Sequence, residues 1–333
     1  MATWLRLPGR SEDRPLPLSP NGRSLPLSAE DRPLAASAFA RRAGRVAISG
    51  MIGVLLNVAA SDVTAQQTTY SYTPVSFPGA VLTAINGENR AGDIVGLYRD
   101  AASTHMHGFL RRGGKFTSID YPEAESTVAN GISPSGDIVG QYNLPDTPNV
   151  AHGFVLTKQG RFTSVNVPGH ASTVAVRLLA DGTILGCYHD QGAPDMHGMK
   201  LVGGKLSDLD RPFSMHRGAT PDGKTIVGTF NDRTAGKSHN RSYVLIGTTF
   251  TPFDVPGSSA TSALDINAGG TIVGNYELNG ISHGFVRERE VYTTLNVPGA
   301  VSASANGISD DGTVVGQFAD AGGATRGFIA TRK

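Results

Sequence analysis

The sequence has little cysteine, tryptophan and charge, and each shortage excludes a class of protein or site. Cys187 is the only cysteine among 333 residues, so no intramolecular disulfide can form and no cysteine-rich metal site exists. Charged residues make up 17% of the chain and the net charge is +1, which predicts no general attraction to nucleic acid. Trp4 is the only tryptophan, so the part of the chain patterned as strands has no tryptophan to stack on a sugar ring, which weighs against a glycan site. Glycine, by contrast, is abundant at 42 residues, which is typical of an all-β protein with many tight turns.

Two segments precede the part of the chain that is patterned as strands. Residues 1–40 are rich in proline, serine and charge and have no apolar periodicity, which predicts disorder; a translation start downstream of Met1 is the alternative. Residues 41–65 have an arginine-rich flank, an apolar run from Val46 to Ala60 and then small residues. This order predicts a secretory signal, with a retained anchor or a structural helix as the alternatives. We therefore expect an extracellular or periplasmic protein with no stable membrane insertion after cleavage.

From Tyr72 onward the chain repeats a unit of roughly 40–50 residues, the length of one propeller blade. Each unit has four short β-patterned segments joined by glycine-containing turns, and its second segment ends in a glycine, which we expect to let adjacent sheets approach closely. These glycines are Gly96, Gly140, Gly186, Gly228, Gly274 and Gly316.

The two ends of the repeat region complement each other. A lone strand at residues 72–77 precedes the first unit, and the last unit stops after its third strand. The sequence therefore predicts that residues 70–333 form a six-bladed β-propeller with four-stranded blades, closed by the N-terminal strand, which completes the last blade. A solenoid, the alternative, would gain nothing from this complementarity and would need capping repeats.

The third segment of four units carries a His-Gly-Phe or His-Gly-Met motif, and a hairpin of the form Asn-Asp/Ser-x-Gly-x-Ile/Val-Val-Gly comes before it. The motifs begin at His107, His152, His197 and His283. These units resemble the HAF-type extracellular repeat, and the resemblance covers residues 72–333. It implies a secreted bacterial-type repeat protein with a propeller fold, and it supplies no catalytic residues. Two units depart from the motif, with Arg241-Ser-Tyr243 and Arg326-Gly-Phe328.

The repeated histidines predict a structural role rather than a metal site. A metal ion needs ligands that converge within a few ångströms, whereas equivalent positions on the third strands of separate blades lie far apart around a ring. We therefore predict no metal site and no other cofactor.

The candidate ligand-binding residues are the charged departures from the repeats. The first strand of each unit should line a central channel, and its consensus is Ala-Asn-Gly-Ile. Arg177 and Asp265 replace the glycine in two units, Glu88 replaces the isoleucine in another, and a fourth unit has His216-Arg217-Gly-Ala. We predict that the channel mouth binds a small anion or acidic sugar through Arg177, His216 and Arg217. The alternative is sequence drift, with Arg177 and Asp265 forming a salt bridge between neighbouring blades.

The sequence favours a binding module over an enzyme, because it has no P-loop, His-Glu-x-x-His or Cys-x-x-Cys motif. The expected partner is a surface glycan or a protein, not nucleic acid, and the expected oligomeric state is a monomer. The alternative is a polysaccharide lyase or glycoside hydrolase with its site at the channel mouth. In a lyase, His216 would act as the base and Arg177 or Arg217 would neutralise charge. A cluster of perturbed side chains at one channel mouth would favour this alternative.

Overall fold

The computed structural model describes residues 69–190, 196–207, 211–234 and 238–333. The predicted disordered segment at 1–40 and the predicted signal at 41–65 lie outside these residues. Regular structure in the described ranges is almost entirely β, in twenty-five strands. No helix in these ranges is long and apolar enough to cross a membrane.

The strands follow one another in the same order in each repeat. The first nine are β1 (Tyr70–Val75), β2 (Ala80–Glu88), β3 (Ile94–Asp100), β4 (His107–Arg112), β5 (Lys115–Ile119), β6 (Ser126–Ile132), β7 (Ile138–Leu144), β8 (Thr147–Leu156) and β9 (Phe162–Val165). The next nine are β10 (Ser172–Leu178), β11 (Ile184–His189), β12 (Met196–Val202), β13 (Lys205–Leu206), β14 (Arg211–Pro212), β15 (Ser214–Ala219), β16 (Thr225–Asp232), β17 (His239–Ile246) and β18 (Thr249–Phe253). The last seven are β19 (Ala260–Ile266), β20 (Ile272–Leu278), β21 (Ile281–Glu288), β22 (Val291–Leu295), β23 (Ala300–Ile308), β24 (Val314–Asp320) and β25 (Thr325–Arg332).

Hydrogen bonding joins these strands into five sheets. Four sheets follow a four-stranded path, in the orders β6 to β9, β10 to β13, β15 to β18 and β19 to β22, and β14 also pairs with β12. The fifth sheet has eight strands: it follows the order β23-β24-β25-β2-β3-β4-β5, and β1 pairs with β25. The predicted all-β propeller is therefore confirmed.

The prediction of six separate four-stranded sheets is wrong. Four sheets with a four-stranded path are separate, and the remaining strands share one eight-stranded sheet. The physical reason is a single parallel pair, Leu82 opposite Thr325, which joins β2 to β25. The sequence gives no sign of this contact, because it joins segments from opposite ends of the repeat region. The lone N-terminal strand β1 pairs antiparallel with β25, from Tyr70 opposite Arg332 to Val75 opposite Gly327.

The glycine of each second strand makes room within its own sheet, and not between sheets as the sequence suggests. In one repeat, for example, the first strand β6 has a β-bulge between Ala129 and Gly131, and Gly140 of β7 pairs opposite Ala129. A Cβ on Gly140 would lie 2.0 Å from the carbonyl oxygen of Val128 and 2.7 Å from the ring of Phe154. The equivalent glycines of the other units are equally crowded, at Gly96, Gly186, Gly228, Gly274 and Gly316. The glycines thus let the bulged strand and the third-strand aromatic pack together.

Candidate functional site: the central channel

The first strands of the six repeat units line two neighbouring cavities, which together we call the central channel. We number the units 1 to 6 by these strands, which are β2, β6, β10, β15, β19 and β23. Each contacts the next along the chain, and β23 contacts β2. The isoleucine, glycine and asparagine positions of the consensus form three successive layers of the channel wall. The charged departures from the repeats lie in these layers.

The isoleucine layer forms a cavity of about 240 Å³, which we call the mouth chamber. Its wall includes the isoleucine-position residue of every unit, and in five units this residue is apolar: Ile132, Leu178, Ala219, Ile266 and Ile308. Glu88 is the sixth, so one carboxyl group interrupts an apolar collar. An apolar cavity with a few converging polar groups is the usual form of a small-molecule site.

Burial strongly perturbs Glu88. Desolvation, together with the nearby charges of Asp311 and Asp265, raises the pKa of Glu88 to about 8, although hydrogen bonding by Ser309 opposes the rise. Its Oε1 atom is buried and has no hydrogen-bond partner in the described part of the chain. The carboxyl group is therefore largely protonated at neutral pH, when it can donate a hydrogen bond.

The glycine layer is crossed by a buried ion pair. Arg177 Nη2 lies 2.5 Å from Asp265 Oδ2, and both side chains are almost fully buried. The predicted salt bridge is therefore present, but it does not join neighbouring units as expected: β15 of unit 4 lies between β10 and β19. Gly218 of β15 makes the contact sterically possible, since a Cβ there would lie 2.6 Å from Asp265 Oδ1.

The carboxylate of Asp265 has further donors besides Arg177. It accepts hydrogen bonds from the backbone N–H of Ile266, at 2.9 Å, and of Ile308 in unit 6, at 3.1 Å. Burial raises the pKa of Asp265, and Arg177 and the two N–H groups oppose that rise. Asp265 thus connects units 3, 5 and 6.

The asparagine layer lines a second cavity, of about 360 Å³, which we call the inner chamber. Its described wall contains two charged residues, both arginines, and no acid: it consists of Asn86, Asn130, Val176, Arg177, Arg217, Ser262, Leu264, Asn275, Ser282, Ser304, Asn306 and Gln317. Arg177 also lines the mouth chamber, so its ion pair with Asp265 lies where the two chambers meet.

Arg217 is the most unusual residue of the inner chamber. Its side chain is partly buried, and its Nε atom is fully buried with no hydrogen-bond partner. Burial lowers the pKa of Arg217, and no ion pair joins it to an acid within the described ranges. A desolvated cation without a counter-ion is costly for folding, which makes it a candidate for binding an anion.

His216 does not line either chamber. It is fully buried in the core, where a Cβ on Gly198 of unit 3 would lie 3.0 Å from its Cε1 atom. Tyr243 Oη donates to the carbonyl oxygen of Met215 at 3.0 Å and lies 2.5 Å from His216 Nδ1, so Nδ1–H is the donor between the two side chains. The structure therefore brings Glu88, Arg177, Arg217 and Asp265 to the channel and separates His216 from them.

The asparagine in the repeated pattern of the first strand has a role that the sequence alone did not reveal. The asparagines of three units donate through Nδ2 to a first-strand carbonyl of the next unit. The bonds run from Asn86 to Ala129 at 3.0 Å, from Asn130 to Ala175 at 2.9 Å and from Asn306 to Ile85 at 2.8 Å. Units 3, 4 and 5 have Val176, Arg217 and Leu264 instead, so the seams that follow them lack this bond.

No family model matches this chain, and no curated protein matches it either. Solved structures of propellers do resemble it, at low sequence identity. The β-propeller domain of the Trilobed protease from Pyrococcus furiosus is 10% identical with a TM-score of 0.47, and the likeness covers 78% of this chain and 96% of that domain.

Two further structures have similar values. TolB from Acinetobacter baumannii is 14% identical with a TM-score of 0.49, and the likeness covers 72% of this chain and 63% of TolB. A gluconolactonase from Xanthomonas campestris is 10% identical with a TM-score of 0.45, covering 80% of this chain and 96% of that protein.

The motif histidines and Cys187 do not line the two chambers. The motif histidines stack on the tyrosine of their own second strand, with ring centroids 5.1 Å apart for His107 and Tyr98 and 5.3 Å for His283 and Tyr276. Burial raises the pKa of Cys187 to about 12, so it is a thiol at neutral pH. Among the described residues, no group of three or more histidine, cysteine or acidic side chains is arranged to hold a metal ion.

Proposed function

We propose that this protein is an exported binding module that holds an anionic group in the inner chamber of its channel. The observation that carries the proposal is Arg217, a partly buried guanidinium in a chamber whose described wall contains no acid. Arg177 supplies a second cation, although its ion pair with Asp265 already neutralises part of its charge. The neutral donors of Asn86, Asn130 and Asn306 complete a wall suited to oxygen-rich anions.

The chemistry and the volume of the chamber narrow the ligand class. Guanidinium groups bind carboxylate, sulfate and phosphate oxygens in a planar, two-pronged geometry. A cavity of about 360 Å³ is at the small end of ligand pockets, so it suits a monosaccharide-sized acid better than a segment of folded protein. We therefore favour the acidic sugar of a surface glycan over a protein partner.

The propeller scaffold in this proposal is a ring of six units, closed by β1. Two observations support it: the first strands contact one another in cyclic order, and β1 pairs with β25 over its whole length. Each half of the eight-stranded sheet would then act as one blade. Export through the 41–65 signal, a monomeric state and kinship with HAF-type repeat proteins are parts of the same proposal.

A carbohydrate-active enzyme at the mouth chamber is the second candidate. Glu88 favours it, because a carboxyl group that stays protonated at neutral pH is what a general acid requires. The base that the sequence suggested for a lyase, His216, lies in the core away from both chambers, so that version of the mechanism has lost its base.

Calorimetric titration of the full chain with galacturonate and with inorganic sulfate tests the binding proposal. Arg217→Asn restores the repeat consensus, so we expect it to fold and to bind both anions at least tenfold more weakly. Arg161→Gln, a change at an exposed arginine, serves as the control and should bind as the wild type does. Equal affinity in the Arg217→Asn variant would overturn the proposal. New reducing ends or unsaturated products from acidic polysaccharides would favour the enzyme.

A further inference from the structure

The mouth chamber differs from the inner chamber in its chemistry. Its collar is apolar on five of six sides, and the sixth side presents the buried Oε1 atom of Glu88, which has no hydrogen-bond partner in the described part of the chain. A buried polar atom without a hydrogen-bond partner destabilises the folded state by the full free energy of its desolvation. The five other units show that an aliphatic side chain fits this position, so the fold itself does not require a carboxyl group here.

The charges around Glu88 are already paired with one another. Arg90 forms an ion pair with Asp310, and Arg177 forms one with Asp265. Asp311 adds a further negative charge close to Glu88. No cation in the described lining is therefore left to hold Glu88 as a carboxylate. The chamber as a whole is close to neutral when Glu88 carries its proton, and the pKa of about 8 agrees with this.

We propose that the mouth chamber is a second ligand site, for a small neutral ring-sized molecule with an apolar face and a carbonyl oxygen that accepts a hydrogen bond from Glu88. An anionic ligand would face the carboxylates of Asp265 and Asp310, and a strongly polar one would lose hydration against the apolar collar. A cavity of about 240 Å³ accommodates a single ring with short substituents.

This site is independent of the anion site proposed above. The Arg177–Asp265 ion pair lies between the chambers, and Arg217 lines the inner one without lining the mouth. Binding of a neutral probe can therefore be absent while an acidic probe binds, or the reverse. The Glu88 and Arg217 variants can likewise affect one site without affecting the other.

The test uses cyclohexanone as the neutral probe and cyclohexanecarboxylate as the charged one. Binding to the full chain is followed by saturation-transfer NMR and by chemical-shift titration between pH 5 and 10. We expect cyclohexanone to bind at pH 6 and to lose affinity as the pH passes 8, by up to tenfold per pH unit. Cyclohexanecarboxylate should bind at least tenfold more weakly at pH 6.

Two variants of similar size separate the hydrogen bond from the shape of the chamber. Glu88→Gln keeps a donor that does not titrate, so it should bind cyclohexanone within about threefold of the wild type and lose the pH dependence. Glu88→Met removes the donor at similar volume and should weaken binding at least tenfold. Arg217→Asn should leave cyclohexanone binding unchanged.

Three results would overturn the inference: no cyclohexanone binding by the wild type at pH 6, equal binding by Glu88→Met, or a preference for cyclohexanecarboxylate. If Glu88→Met does not fold, the pH profiles of the wild type and Glu88→Gln decide alone, and identical profiles refute the role of Glu88.

Discussion

The two halves of the channel wall are built in different ways. In units 6, 1 and 2, which we call the asparagine arc, each first strand is bonded to the next unit through an asparagine side chain. In units 3, 4 and 5, which we call the charged arc, the same layers contain Arg177, Arg217 and Asp265. The arcs share one backbone pattern, so the difference lies in what the side chains do. In the asparagine arc they both line the inner chamber and hold units together, and in the charged arc they line the channel without making such a bond to the next unit.

The largest effect on stability is expected for the ion pair of the charged arc. Asp265→Gly leaves Arg177 buried without its acid, and removing one partner of a buried pair typically costs about 3–5 kcal/mol. The double variant Arg177→Gly/Asp265→Gly restores the glycine layer of the asparagine arc and should recover much of that loss. Urea unfolding of the wild type, Asp265→Gly, Arg177→Gly and the double variant measures the coupling between the two residues. A cost below about 1 kcal/mol for Asp265→Gly would contradict the described role of the pair.

Glu88 is the charged departure that lies within the asparagine arc, and its effect depends on pH. Its pKa is raised from the ordinary value of 4.5 to about 8 in the folded protein, so the folded state holds a proton that the unfolded state has lost between these values. The contribution of protonated Glu88 to the free energy of unfolding is therefore complete below about pH 4.5. It is lost as the pH rises towards 8, by at most about 1.4 kcal/mol per pH unit.

The difference in unfolding free energy between the wild type and Glu88→Gln, measured from pH 4 to pH 9, isolates this contribution. The wild type should lose stability relative to the variant between pH 5 and 8. A difference that does not vary with pH would show that Glu88 titrates normally.

The third test concerns the core of unit 4, where His216 and Tyr243 replace the alanine and phenylalanine of most other units. Tyr243→Phe removes the hydroxyl that His216 Nδ1 contacts, and it should cost about 1–2 kcal/mol. His216→Ala/Tyr243→Phe restores the alanine and phenylalanine found in units 2, 5 and 6, and it should be more stable than the two single changes predict. Strict additivity in thermal unfolding would contradict the coupling.

The smallest effect is expected for the inter-unit asparagines. Asn130→Ala removes one hydrogen bond across the seam between units 2 and 3 and should cost about 1 kcal/mol. Val176→Ala, at the equivalent position of the charged arc, has no such bond to lose and serves as the matched control. If the two changes cost the same in urea unfolding, the asparagines do not hold the arc together.

The sequence predicts the propeller because the same features recur in each unit: four strands, turn glycines and a glycine at the same place in the second strand. It also identifies the charged departures, and four of the five lie on the channel. It fails where a residue acts through a partner in another strand. The role of His216 depends on Tyr243, 27 residues away in the third strand of the same unit.

The Arg177–Asp265 pair was anticipated, but its geometry was not. The pair passes over the intervening strand because Gly218 leaves space for it, and a side chain at that position would have blocked the contact. The single pair that joins β2 to β25, Leu82 opposite Thr325, is likewise a contact between distant segments that no local pattern indicates.

The most direct test of the anion site is the NMR signal of the Arg217 side chain during titration with galacturonate. Spectra of the arginine Nε–H groups, assigned with Arg217→Asn, Arg177→Gly and Arg161→Gln, report these three guanidinium groups separately. The account predicts a saturable shift of the Arg217 Nε–H signal, a smaller shift for Arg177 and none for Arg161. Saturable shifts confined to arginines outside the channel, with Arg217 unchanged, would contradict it.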